Sequence, residues 1–147
     1  MGVLQWFMKK NNGVIPWIGY SYFGRVFADV LEEELGVVVD TDVKCAKSGL
    51  ELIASREFPL IMVNDLVIPG EFNLPDDYTR ENLPEVSRYL VGEIRRSPLN
   101  SRTPIIATVI PIASYTLPED YLEAGANDVF TFDNTAELIA CINKYLL

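Results

Sequence analysis

The chain has no histidine and only two cysteines among its 147 residues. Without imidazole there is no Ser-His-Asp or Cys-His nucleophile, no general base titrating near neutrality and no imidazole metal ligand. Cys45 and Cys141 each lie in an apolar segment at no zinc-site spacing, and both read as buried, reduced thiols. Basic residues are also scarce: 12 Lys and Arg against 21 Asp and Glu leave a net charge of −9. That excludes the basic face on which nucleic acid is held. No apolar run reaches the roughly 18 to 20 residues that cross a bilayer. Lys9 and Lys10 follow the apolar Val3 to Met8 instead of preceding it, the reverse of a secretory leader. A cytoplasmic protein with no membrane contact is the expectation. Glycine-rich phosphate loops are missing as well, since Gly13, Gly19 and Gly24 lack the fingerprint spacing. A small nucleotide- or flavin-binding α/β protein is therefore a weak alternative.

What is present is a single-domain length, 1–147, with 49% apolar residues and enough mass for one full core. Short apolar runs alternate with amphipathic stretches. From Tyr22 to Leu35 the apolar Phe23, Val26, Phe27, Val30, Leu31 and Leu35 recur on one helical face, and Gly36 ends it. An edge strand is predicted around Val43 to Ala46. Ser48 with Glu51 forms a capping box that opens a helix to about Arg56. A buried strand spans Leu60 to Asn64. Asn82 with Glu85 caps a helix over Leu83 to Arg96, with Val86, Leu90 and Ile94 on its inner face and Pro84 early in it. Ile105 to Ile110 is another buried strand, Thr116 caps a short helix over Pro118 to Ala124, and Val129 to Phe132 is the last strand. Asn134 with Glu137 caps a final helix to Leu147.

Strands alternating with helices imply right-handed crossovers and a parallel sheet covered on both faces, a three-layer α/β/α fold. The first strand is open between two segments. Val14 to Ile18 stands at a suitable distance from the helix but contains Pro16, which cannot donate to a ladder. Val3 to Met8 has no proline and leaves a long loop, in which case 1–13 is more than an extension.

The stretch around which the chain is organised is Leu60 to Gly70, LIMVNDLVIPG. Its apolar run stops at Asn64 and Asp65, and Pro69-Gly70 then breaks any regular element. In open parallel sheets, reactive groups sit just beyond the carboxyl ends of the strands. Asp65 stands there.

This stretch is preceded by the Ser48-Gly49-Leu50-Glu51 helix start and followed by TPIIATV (Thr103 to Val109) and AGANDVFTF (Ala124 to Phe132). In that order it resembles the receiver domain of bacterial and archaeal response regulators, over about residues 14 to 147. The resemblance implies a flavodoxin-like, doubly wound five-stranded sheet of order 2-1-3-4-5. It makes Asp65 the candidate phospho-acceptor, with Asn64, Pro69 and Gly70 beside it, and 71–82 an inserted loop.

The family's other functional positions depart from the pattern. The two acids after the first strand, which hold magnesium in the family, fall on Gly19-Tyr20 or on Lys9-Lys10. The hydroxyl residue at the end of the fourth strand falls on Val109, with Thr108 one residue early and facing the other side. The phosphate-pairing lysine falls on Phe132, and the aromatic switch on Val129. Each lost group removes electrostatic stabilisation from phosphoryl transfer.

The reading that follows is a degenerate receiver: not an enzyme, with no catalytic residue, no metal site and no cofactor, working through a protein partner such as a signalling kinase or output protein. Its candidate surfaces are the last helix with its strand, the inserted loop, and an N-terminal segment bearing Trp6, Phe7 and Trp17 through which a homodimer could form. The alternative is a working acceptor phosphorylated at Asp65, in which Glu71, Asp76 or Asp77 of the inserted loop supply the carboxylates for magnesium.

Overall fold

A computed structural model describes residues 14–65, 67, 70, 83–109, 118–131 and 135–146. The elements run β1 (Val14–Ile18), α1 (Ser21–Leu35), β2 (Val38–Val43), α2 (Ala46–Ser55), β3 (Ile61–Asn64), α3 (Leu83–Arg96), β4 (Ile105–Val109), α4 (Pro118–Ala124), β5 (Asp128–Thr131) and α5 (Thr135–Leu146). All neighbouring strands pair in parallel, in the order β2-β1-β3-β4-β5.

Alternation along the strands sorts the core into two layers. Ile61, Val63, Ile105, Ala107 and Val109 pack with Ile53 of α2, Val86, Leu90 and Ile94 of α3 and Tyr121 of α4. Ile15, Trp17, Met62 and Ile106 pack on the other face with Phe27 and Leu31 of α1 and Leu138, Ile142 and Leu146 of α5. Helices therefore cover both faces, as the unbroken apolar character of β3 and β4 requires.

β1 is the segment containing Pro16, although it lies between β2 and β3. The sheet tolerates the proline because the register to β2 shifts between Pro16 and Ile18, and pairing to β3 begins only at Trp17. A proline inside a sheet is accommodated at such an irregularity. Trp17, read as a possible interface aromatic, belongs instead to the core: it is fully buried, with its ring 6.0 Å from that of Phe27 in a stacked arrangement.

The edge strand is Val38–Val43, several residues earlier than Val43 to Ala46. Asp40 and Asp42 do not interrupt it, because an edge strand can turn its acids to solvent. The Asp42 N–H also donates to Asp40 Oδ1 at 3.0 Å. The following helix consequently begins earlier. Its N-cap is Cys45, whose Sγ accepts from the Ser48 N–H, and not Ser48. Cys45 is half-buried as a result, whereas Cys141 is buried as predicted.

α1 ends as predicted at Gly36, which adopts φ 68° and whose N–H bonds the Glu32 carbonyl at 3.0 Å. The predicted caps Asn82, Thr116 and Asn134 lie outside the described residues, as do Trp6 and Phe7.

Candidate functional site

Asp65 continues the line of β3 past its last paired residue. Its N–H donates to the Thr108 carbonyl at 2.9 Å, so β4 fixes the backbone at this point. Successive side chains then part to opposite faces. Asn64 bonds Thr108, Nδ2 to Oγ1 at 3.1 Å. Asp65 turns toward α3 and α4, where the Tyr121 hydroxyl donates to its Oδ1. Ser87 of α3 donates to the Asn64 carbonyl at 2.7 Å and also engages the Tyr121 hydroxyl. Asn64, Asp65, Ser87 and Tyr121 are each 0% exposed.

Burial drives the Tyr121 phenol far above its usual range, and the negative charge of Asp65 and the hydrogen bond to it push the same way. Ser87 and Arg88 pull weakly in the other direction. Tyr121 thus keeps its proton at every physiological pH, and its hydroxyl acts as a donor to the carboxyl group.

Beyond the end of β1 stand Gly19 and Tyr20, not Lys9 and Lys10, because β1 is Val14–Ile18. The Gly19 N–H donates to the Val43 carbonyl at 2.9 Å. Tyr20 is exposed, precedes α1 with an extended backbone, and lies 6.5 Å from the Tyr22 ring. Neither residue offers a hard anionic oxygen of the kind magnesium prefers. Among the described residues no group of three Asp, Glu, Cys or His side chains could hold a metal ion. The donor set of these residues does not fit magnesium.

Gly70 adopts φ 74°, and a Cβ on it would lie 2.7 Å from Cys45 Sγ. Gly70 therefore lies tightly against Cys45, the N-cap of α2, at a point where only glycine fits.

The structure brings Asn64, Asp65, Thr108 and Val109 together at one end of the sheet. Val109 shares the face of Asp65 and lies in the apolar cluster with Tyr121, while Thr108 faces away, as its place in the strand predicts. Phe132, Pro69, Glu71, Asp76 and Asp77 lie outside the described residues. Sequence reasoning missed Tyr121 and Ser87. Ser87 lies three positions before Leu90 on the inner face of α3, so a small hydroxyl in that register was a detectable signal. The seven-residue α4 is too short for its periodicity to single out Tyr121.

The strand order and the two helical layers are those of the CheY-like receiver fold, a flavodoxin-like arrangement. Solved receiver domains match the chain at this level. The receiver domain of a Pseudomonas aeruginosa sensor histidine kinase, solved with a magnesium ion coordinated in its active-site cleft, is 19% identical with a TM-score of 0.65; the match covers 91% of this chain and 97% of that one. A Francisella response regulator receiver domain is 20% identical, TM-score 0.63, covering 90% and 94%. A CheY-like receiver domain protein from Methanospirillum hungatei is 20% identical, TM-score 0.62, covering 90% and 91%. No family model matches the sequence. No curated protein matches it either. Among the described residues, no helix is long and apolar enough to cross a membrane.

Proposed function

We propose that this chain is a divergent receiver domain of two-component-type signalling that acts through protein contacts and does not take phosphate at Asp65. The observation that supports this reading is the Tyr121 hydroxyl on a completely buried Asp65. An acceptor carboxylate needs an open path for the incoming phosphoryl group and a cation beside it. Here one carboxylate oxygen already accepts from a buried phenol, and the positions of the acidic pair hold glycine and tyrosine. Val109 supplies no hydroxyl to bond a transferred phosphoryl oxygen. Its partners on this reading are other proteins of a signalling system, a kinase or an output protein.

The test is incubation with acetyl phosphate, or with beryllofluoride, in the presence of magnesium. The intact mass stays constant, and the amide spectrum around Asp65 does not shift. A gain of one phosphoryl group that disappears in Asp65→Asn would overturn the proposal and establish an acceptor whose magnesium carboxylates come from elsewhere, Glu71, Asp76 and Asp77 being the first to substitute. A homodimer through the N-terminal segment is a separate proposal, checked by sedimentation equilibrium. A mass that stays monomeric across a hundredfold range of concentration rules it out.

A further inference from the structure

The Tyr121–Asp65 contact adds a polar bond between α4 and the end of β3 to the apolar packing of Tyr121 against Val63, Val86 and Val109. Asp65 belongs to the sheet, fixed by its N–H to the Thr108 carbonyl. Tyr121 belongs to α4, only seven residues long and therefore marginal by itself. The far end of α4 is tied to α3, because Arg95 Nε donates to the Gly125 carbonyl at 2.7 Å. From the middle of α4, the tyrosine hydroxyl reaches the Asp65 carboxyl group at the end of β3.

The residues flanking this buried contact form a surface cleft. Asp120 and Glu123, beside Tyr121 on α4, and Glu85 and Arg88, beside Ser87 on α3, line a cavity of about 370 Å³ between the two helices. Tyr121 and Ser87 are buried on the same two helices, next in sequence to residues that line the cleft.

We propose that the Tyr121–Asp65 hydrogen bond is an internal latch that holds α4 closed on the end of β3 and sets the shape of the α3–α4 cleft. Removing either the Tyr121 hydroxyl or the Asp65 carboxylate therefore loosens α4. This goes beyond the absence of phosphorylation and does not depend on it, because the latch is a property of the resting state.

The test is hydrogen exchange followed by mass spectrometry on the full chain, comparing wild type, Tyr121→Phe, Asp65→Asn and the double variant. Both single variants speed exchange of the α4 amides, Tyr121→Phe by about tenfold or more, the size typical of a hydrogen bond to a charged group. Amides of α1 and α5 stay within twofold of wild type. In the double variant the second substitution adds less than it does alone, since both remove the same bond. Tyr145→Phe, which removes a tyrosine hydroxyl bond on α5, leaves α4 unchanged. Unaltered α4 exchange in the single variants overturns the latch, and so does an increase spread evenly over all elements. So do additive effects in the double variant. Mass gain with acetyl phosphate is read separately, so failure of the latch and failure of the proposed function are distinguishable.

Discussion

Gly24 sits in the middle of α1, where a glycine ordinarily weakens a helix by about 1 kcal/mol relative to alanine. Here the exchange is unfavourable, because an added Cβ would lie 2.7 Å from Trp17 Cδ1. The indole is fully buried and stacked on Phe27, so it has no room to move. Gly24→Ala is predicted to destabilise the fold by about 1 to 3 kcal/mol, as overpacking does, measured by urea denaturation. A stabilised variant would show that the indole shifts freely. Asn100 is a second single-residue dependency. Its Oδ1 accepts from the Phe58 N–H and the Thr103 hydroxyl, and its Nδ2 donates to the Ile53 and Arg56 carbonyls, all within 3.0 Å. Asn100→Ala strands several buried partners and is predicted to cost more than about 3 kcal/mol in the same assay. At this scale the sequence was partly legible. Asp65 could be found because a buried strand stops there, but its partner could not: a tyrosine on a short helix declares neither its direction nor its distance from an acid 56 positions away.

β5 and α5 are joined by a small polar cluster. Asp128 Oδ2 accepts from the Tyr145 hydroxyl at 2.9 Å and lies 3.5 Å from Cys141 Sγ. Burial, then the charge of Asp128, pushes the Cys141 thiol up to about 12 from an ordinary value near 9.0. Burial, then the hydrogen bond to Asp128, pushes Tyr145 up to about 12 from 10.0. Both groups are neutral when protonated and their folded values are raised, so their contribution is complete below the unfolded values and is lost as pH climbs toward 12. Stability is therefore predicted to fall between about pH 9 and 12, with a shallower fall in Tyr145→Phe, followed by denaturant titration at each pH. Iodoacetamide at pH 8.5 should alkylate half-buried Cys45 well before Cys141, read by peptide mapping. Element boundaries were legible where a glycine or a long apolar face marked them, as in α1. They slipped at β2, whose acids look like a turn in sequence and become an exposed strand edge only when β1 is beside them.

Over the whole molecule the charge of −9 is a repulsive load. The one ion pair found among the described residues joins Glu93 and Arg96 within the single helix α3, at 2.6 Å. Adding salt screens the repulsion more than it weakens that exposed pair, so the midpoint of thermal unfolding is predicted to rise between about 10 mM and 500 mM sodium chloride. A falling midpoint would mean that attractive pairs dominate. The layered architecture followed from the alternation of strands and helices, but the strand order followed only from family resemblance, because a crossover can place the next strand on either side.

Pro16 divides the central strand unequally. Among the described residues, β1 upstream of it is joined to β2 alone; beyond it, Ile18 is held from both sides, by Val43 and by Val63. Mechanical strain on the sheet will therefore start a tear at the tail of β1, and the tear must cross the doubly stitched Ile18 before it disturbs the ground on which Asp65 rests.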